Sequence, residues 1–376
     1  MSSELSELTN QLRSKKKISG LLDKIKIEYH KALENLDEIV LMHVCGTHED
    51  TLMKNGLRFL LSREFPRLRL VAGPGCPVCV SPVQDINLSV LIALSNEKVG
   101  VISYGDMIRV PGSSGSLEVA RQQGARVITV YSVTDAVKYA LKHTNLEIVF
   151  ISPGFETTAP ATAVELRKKP PDNFSVLSSH RLVPPALEAL LSIPELPING
   201  FILPGHVSVI MGSGYYREFG RQHQIPCAVA GFEPYDMLAG VLSLLRQLSS
   251  GEVLVDNVYR RAVREEGNLV ARQVLREVFI VTDGVWRGLG KFPNSALELS
   301  PEYSHWNARL KFKEVAESLP PVENETPPGC SCPKVVVGLK EPEECGLFME
   351  ICTPEHPIGP CMVGLEGTCR IRAIYS

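Results

Sequence analysis

The sequence predicts an α/β protein: two parallel-sheet α/β domains facing a central cleft, followed by a small cysteine-rich domain. Three observations predict this. Short, nearly continuous apolar runs alternate with amphipathic stretches from residue 37 onward. Gly- or Pro-marked turns separate them, and six of the ten cysteines fall after Gly329. Strands that are apolar on both faces belong to parallel sheets covered by helices.

The elements follow in order. Residues 1–36 read as a charged helical segment that packs with the C-terminal domain. A first α/β domain, 37–132, takes strands at Glu38–His43, Leu68–Ala72, Val99–Ser103 and Val127–Tyr131. A second, 133–255, takes Leu146–Ser152, Phe174–Leu177, Gly200–Leu203 and Cys227–Ala230. Helices are expected over Pro234–Leu248 and Asn257–Val278. The Pro-rich stretch PPVENETPPGCSCP then leads into the cysteine-rich module, within a last region spanning 256–376.

With 44% hydrophobic and 22% charged residues, the chain reads as globular. A net charge of −3 offers no electrostatic reason to bind nucleic acid or an anionic membrane. No apolar run approaches a membrane span and the N-terminus lacks a signal-peptide core, so the expected location is cytoplasmic. In a reducing compartment, ten cysteines point to metal or redox chemistry more than to structural disulfides.

Ligands of parallel sheets bind beyond the carboxyl ends of the strands, and most unusual motifs fall at such ends. The first strand runs into HVCGTHE, with Cys45 and His48 around a helix start. A thiol at a helix N-terminus has a lowered pKa and suits metal or nucleophilic work. The second strand ends in GPGCPVC, where Cys76 and Cys79 read as a redox dithiol, since no second CxxC nearby completes a zinc ribbon. Later strand ends carry GFETT with Glu156, then His180, His206 and Glu233. Blander readings stand beside these. Thr47 with Asp50 resembles a capping box, and Thr157 or Thr158 caps the next helix. His180 and His206 are ordinary loop residues, while Glu156 and Glu233 are first-turn acids.

Six sulfurs in a small module with little apolar content imply a metal that holds the fold. Zinc and a cubane cluster both remain open; the absence of paired CxxC knuckles favours the cluster.

HVCGTHE, GPGCPVC, GFETTAP and the cysteine array together resemble the hydrogenase maturation factor HypD family over roughly residues 30–376. The resemblance implies a scaffold for assembling the Fe(CN)2CO group of nickel–iron hydrogenases, redox-active but not a conventional enzyme. It implies Cys45 as the thiolate for a transient iron, His48 close by, and Cys76 with Cys79 as the dithiol. Cys330, Cys345, Cys352 and Cys369, separated by 14, six and 16 residues, would hold a 4Fe-4S cluster that passes electrons to that dithiol. Cys332 and Cys361 are the substitutes. A small HypC-like chaperone and a HypE-like cyanide donor are the implied partners. Glu156 is a candidate for hydrogen-bonding cyanide or moving protons. The competing expectations are a general iron–sulfur-dependent thiol–disulfide oxidoreductase and a zinc-stabilised binding protein.

Overall fold

A computed structural model describes residues 12–375, so the expected helical character of residues 1–11 lies outside the described residues. Among the described residues, eleven strands form two mostly parallel sheets. The first sheet has the order β2-β1-β7-β8-β9: Leu68–Ala72, Ile39–His43, Gly200–Pro204, Cys227–Ala230 and Val255–Asn257. The second runs β10-β11-β6-β5-β3-β4: Phe279–Trp286, Gly290–Leu299, Phe174–Arg181, Glu147–Gly154, Val99–Ser103 and Arg126–Thr129.

The α/β class and the eight predicted strands are present, but the division at residue 132 is not how the sheets form. The chain lays β1 and β2 in the first sheet, the next four strands in the second, and returns for β7, β8 and β9. The reason is physical: most of the runs are buried on both faces, so local pattern cannot say which sheet a strand joins. Pairing is set by crossovers far apart in sequence.

Period-two alternation sorts these strands into three cores. Val40, Met42, Val101, Val149, Ile151, Phe201 and Val229 face a central core shared by both sheets and by Cys332, Cys352, Cys361 and Cys369. Their neighbours Ile102, Ile148 and Phe150 face helices outside the second sheet. Ile39, Leu41, Ile202 and Ala228 face outward from the first.

That outer layer corrects another expectation. The helix Lys15–Ala32 buries Leu21, Ile25 and Tyr29 against Pro234–Ser250, not against the cysteine-rich domain. The helix expected over Asn257–Val278 is confined to Leu269–Val278 and preceded by the short β9. The antiparallel hairpin β10–β11 was not foreseen. FIVTDGVW followed by the Gly-containing turn before Gly290 carried a hairpin signal, diluted by its largely exposed face.

Candidate functional site

Cys45 caps the helix Gly46–Lys54 with extended backbone, and no side chain closes that end. The expected capping box does not form, because its two members reach instead for the end of the chain. Thr47 Oγ1 donates to Glu366 Oε1 at 2.9 Å, and Asp50 Oδ1 accepts from Tyr375 Oη at 2.9 Å. The helix also ends at Lys54, and Gly56, in the left-handed region at φ 63°, starts a second one over Leu57–Glu64.

The GPGCPVC loop lies against this turn, with Gly46 N donating to Gly75 O. Cys76 and Cys79 are joined in a disulfide at the start of the short helix Pro77–Val80. The C-terminal segment covers it. Cys79 Sγ lies 3.7 Å from Pro360 O, and a Cβ on Gly364 would fall 3.0 Å from Cys76 Sγ and 3.3 Å from Cys79 Sγ. A side chain at this position would press on both sulfurs.

One narrow cleft results. It is lined by His43, Cys45, the disulfide and, from the tail, Cys361 and Glu366. All of these belong to the ends of β1 and β2 or to the cysteine-rich tail, so strand ends of the second sheet contribute nothing to it. This cleft lies under the tail.

The lowered Cys45 pKa expected from the helix start is also overturned. Burial, with the Glu366 carboxylate adding to it, pushes the thiol up to about 12 against N–H groups of His48 and Thr47 that stabilise the thiolate. Desolvation outweighs the helix terminus.

His48 is not among the cleft-lining residues. Its Nε2 lies 3.3 Å from Ala230 O and its ring packs on Phe232, while burial and neighbouring His43 lower its pKa to about 3. His43 faces the cleft in its place, with Nε2 2.9 Å from Glu49 Oε2. Glu49 also accepts from Arg58 and, at 2.6 Å, from Arg372 Nε of the C-terminal helix Thr368–Tyr375.

Glu156 is fully buried but stands outside the cleft. Its Oε1 accepts from Val183 N and Tyr215 Oη, both at 3.0 Å. It therefore caps the helix Val183–Leu191 rather than the one after GFETT. Burial raises its pKa to about 7. Glu233, by contrast, does cap its own helix in a box with Asp236. His180, buried in β6 rather than in a loop, bonds Ser152 Oγ at 3.0 Å and has its pKa lowered to about 3 by burial. Exposed His206 stacks on Phe232.

In the tail, Cys330, Cys332, Cys352, Cys361 and Cys369 act on one another. Hydrogen bonds from Cys332 and Cys361 lower the Cys369 pKa, and donating raises Cys361. Ile358 N donates to Cys352 Sγ and Cys361 N to Cys332 Sγ, both at 3.3 Å. A Cβ on Gly359 would fall 2.6 Å from Cys330 Sγ. Cys345 is buried and tied to this group through backbone, by Phe348 N donating to its carbonyl and by the Phe348–Cys352 bridge, but is not among the thiols so linked. Cys332 and Cys361, expected only as substitutes, sit at the centre.

Among the described residues, no three His, Cys, Asp or Glu converge as a single ion would require. A cubane cluster spreads its thiolates over four irons and does not need that convergence. The donor set fits such a group: buried sulfurs, backbone N–H groups aimed at them, and a glycine where a side chain would intrude.

A fold of two parallel sheets closed by a cysteine-rich tail, with a lone thiol and a disulfide in one covered cleft, defines an α/β protein built for thiol chemistry. The comparisons with known proteins narrow this. The HypD family, described as "Hydrogenase formation hypA family", matches residues 16–376. The chain is 41% identical to a putative hydrogenase expression/formation protein of Methanocaldococcus jannaschii, over 94% of this chain and 96% of that one. It is 40% identical to the hydrogenase maturation factor HypD of Cupriavidus necator, over 89% of each chain. For the Escherichia coli HypD the identity is 39%, over 88% of this chain and 87% of that protein. The chain belongs to the HypD family.

Proposed function

We propose that the protein is a hydrogenase maturation factor, a cytoplasmic scaffold on which the Fe(CN)2CO group of nickel–iron hydrogenases is assembled with a small HypC-like chaperone and a HypE-like cyanide donor. The observation that carries this reading is the cleft that unites Cys45, the Cys76–Cys79 disulfide and Cys361. In this reading Cys45 is the iron-binding thiolate. Its raised pKa means that ferrous iron must displace the thiol proton, which leaves the thiol inert until metal arrives.

By the spacing that the family resemblance implies, Cys330, Cys345, Cys352 and Cys369 hold a 4Fe-4S cluster. Bound there, the cluster supplies single electrons. Opening the disulfide to two thiols consumes two electrons and two protons. The covering tail keeps bulk water and foreign thiols from the pair. Glu156 sits outside the cleft. Its role is to hold a proton near neutrality and to position Tyr215, not to touch cyanide; His48 shapes the end of β8.

The general oxidoreductase reading needs a disulfide that protein substrates can reach. Cys76 and Cys79, at 6% and 2% exposure under the tail, argue against it.

Infrared spectroscopy of the complex with the chaperone tests the proposal. Cyanide and carbonyl stretching bands are expected, and Cys45→Ala should remove them. A complex of intact protein without those bands would sink the scaffold reading. Brown protein that bleaches with iron chelators is expected; colourless protein holding zinc would support the binding-protein alternative.

A further inference from the structure

The iron reading of Cys45 leaves one neighbour of that thiol without a task. His43, the last residue of β1, is 1% exposed and is among the residues that line the same cleft as Cys45 and the disulfide. Its two nitrogens differ. Nε2 lies 2.9 Å from Glu49 Oε2. Burial works to raise the Glu49 pKa, but Arg58, His43 and Arg372 outweigh it and hold the group ionised. A carboxylate can only accept, so Nε2 carries the hydrogen and donates it. Nδ1 is buried and has no hydrogen-bond partner.

Buried polar atoms without partners are uncommon and call for an explanation. Here the arrangement supplies one. A carboxylate that fixes one imidazole nitrogen, while the other keeps an unshared lone pair, is the arrangement that orients metal-bound histidines. We propose that His43 Nδ1 is a ligand to the cargo iron alongside Cys45 Sγ, with Glu49 as the residue that orients the ring. This rests on the reading of Cys45 as the iron-binding thiolate.

The chemistry is consistent. Imidazole nitrogen and thiolate sulfur both suit a first-row divalent ion. Two donors leave the remaining positions to non-protein ligands and to another chain, as a transient cargo requires. The Glu49 anchor has two cations of its own, so binding at Nδ1 does not disturb its charge balance. His48 is the rival, because its Nδ1 is also buried and unpartnered. It is absent from the cleft lining and contacts Ala230 O and Phe232 instead.

The test uses cobalt(II) as the probe on the anaerobically purified full chain, read by cobalt-edge X-ray absorption and by titration. One cobalt per chain with a sulfur and an imidazole scatterer is expected. His43→Gln, whose amide can still donate to Glu49, should lose the imidazole signal, keep the sulfur and bind about tenfold more weakly. His48→Gln should keep both scatterers. Retention of the imidazole signal and affinity in His43→Gln would overturn the proposal, and their loss in His48→Gln alone would transfer the role to His48. Unchanged sulfur scattering and affinity in Cys45→Ser would instead overturn the iron-thiolate reading, and this inference with it. Far-UV circular dichroism and thermal unfolding of each variant confirm that the fold is intact.

Discussion

Two buried carboxylates, one at each sheet, face the same problem and solve it in opposite ways. Glu49 and Glu156 are both 0% exposed. Glu49, behind the cleft at the first sheet, is met by Arg58, Arg372 and His43, and lies well below the usual carboxylate range although burial pushes it up. Glu156, at the end of β5 in the second, meets only backbone N–H groups and a tyrosine hydroxyl, with no cation, so burial wins and its pKa rises to about 7. Location at a strand end therefore decides little. The charge that the rest of the fold delivers decides whether a carboxylate is a fixed clamp or a proton reservoir.

The clamp is the larger effect. Arg372 belongs to the same short helix as Cys369, and it also pairs with Glu341 and Glu343. Through Glu49 it ties the cysteine-rich tail to the Cys45 helix. Removing one member of a buried ion network leaves the others uncompensated, at a cost of about 3–5 kcal/mol. Glu49→Gln should lower the unfolding free energy measured in urea by that amount and loosen the tail, seen as faster alkylation of the thiols under it. A loss below about 1 kcal/mol would show that the network is not the clamp.

The reservoir predicts a pH dependence. A folded pKa of about 7 against 4.5 for a free glutamate carboxyl means that the folded state binds more protons over that interval. Stability from this group is therefore fully present below about pH 4.5 and is lost as pH rises through 7. Glutamine at this position keeps the acceptor for Val183 N and Tyr215 but cannot ionise. Glu156→Gln should match wild type near pH 4.5 and exceed it by up to roughly 3 kcal/mol above pH 7.5, since each pH unit is worth about 1.4 kcal/mol. Parallel stability profiles would remove the contrast with Glu49.

How far these sites were legible follows from the same contrast. The strands were readable because burial on both faces writes itself into local composition, and HVCGTHE, GPGCPVC and GFETT stood out by residue type. Which sheet each strand joins was not, because pairing joins residues far apart in sequence: β1 lies between β2 and β7. The Cys45 pKa went the other way for a related reason. The helix start is local and visible, whereas the tail that buries the thiol arrives more than three hundred residues later. His43 was passed over because a histidine that closes a strand carries no local mark, and its partner Glu49 lies on the next helix. Its orphaned Nδ1 exists only once the fold is formed.

Tail contacts at the cleft mouth give the smallest expected effect and isolate what the clamp contributes. Thr47 Oγ1 donates to Glu366 Oε1 at the exposed rim. A single hydrogen bond of this kind contributes about 1 kcal/mol, and an exposed one less. Thr47→Val, close in shape, should leave the urea midpoint nearly unchanged while the Cys76–Cys79 disulfide becomes more accessible to a small-molecule reductant. If Thr47→Val instead unfolds the protein as readily as Glu49→Gln, the rim and not the buried network holds the tail in place.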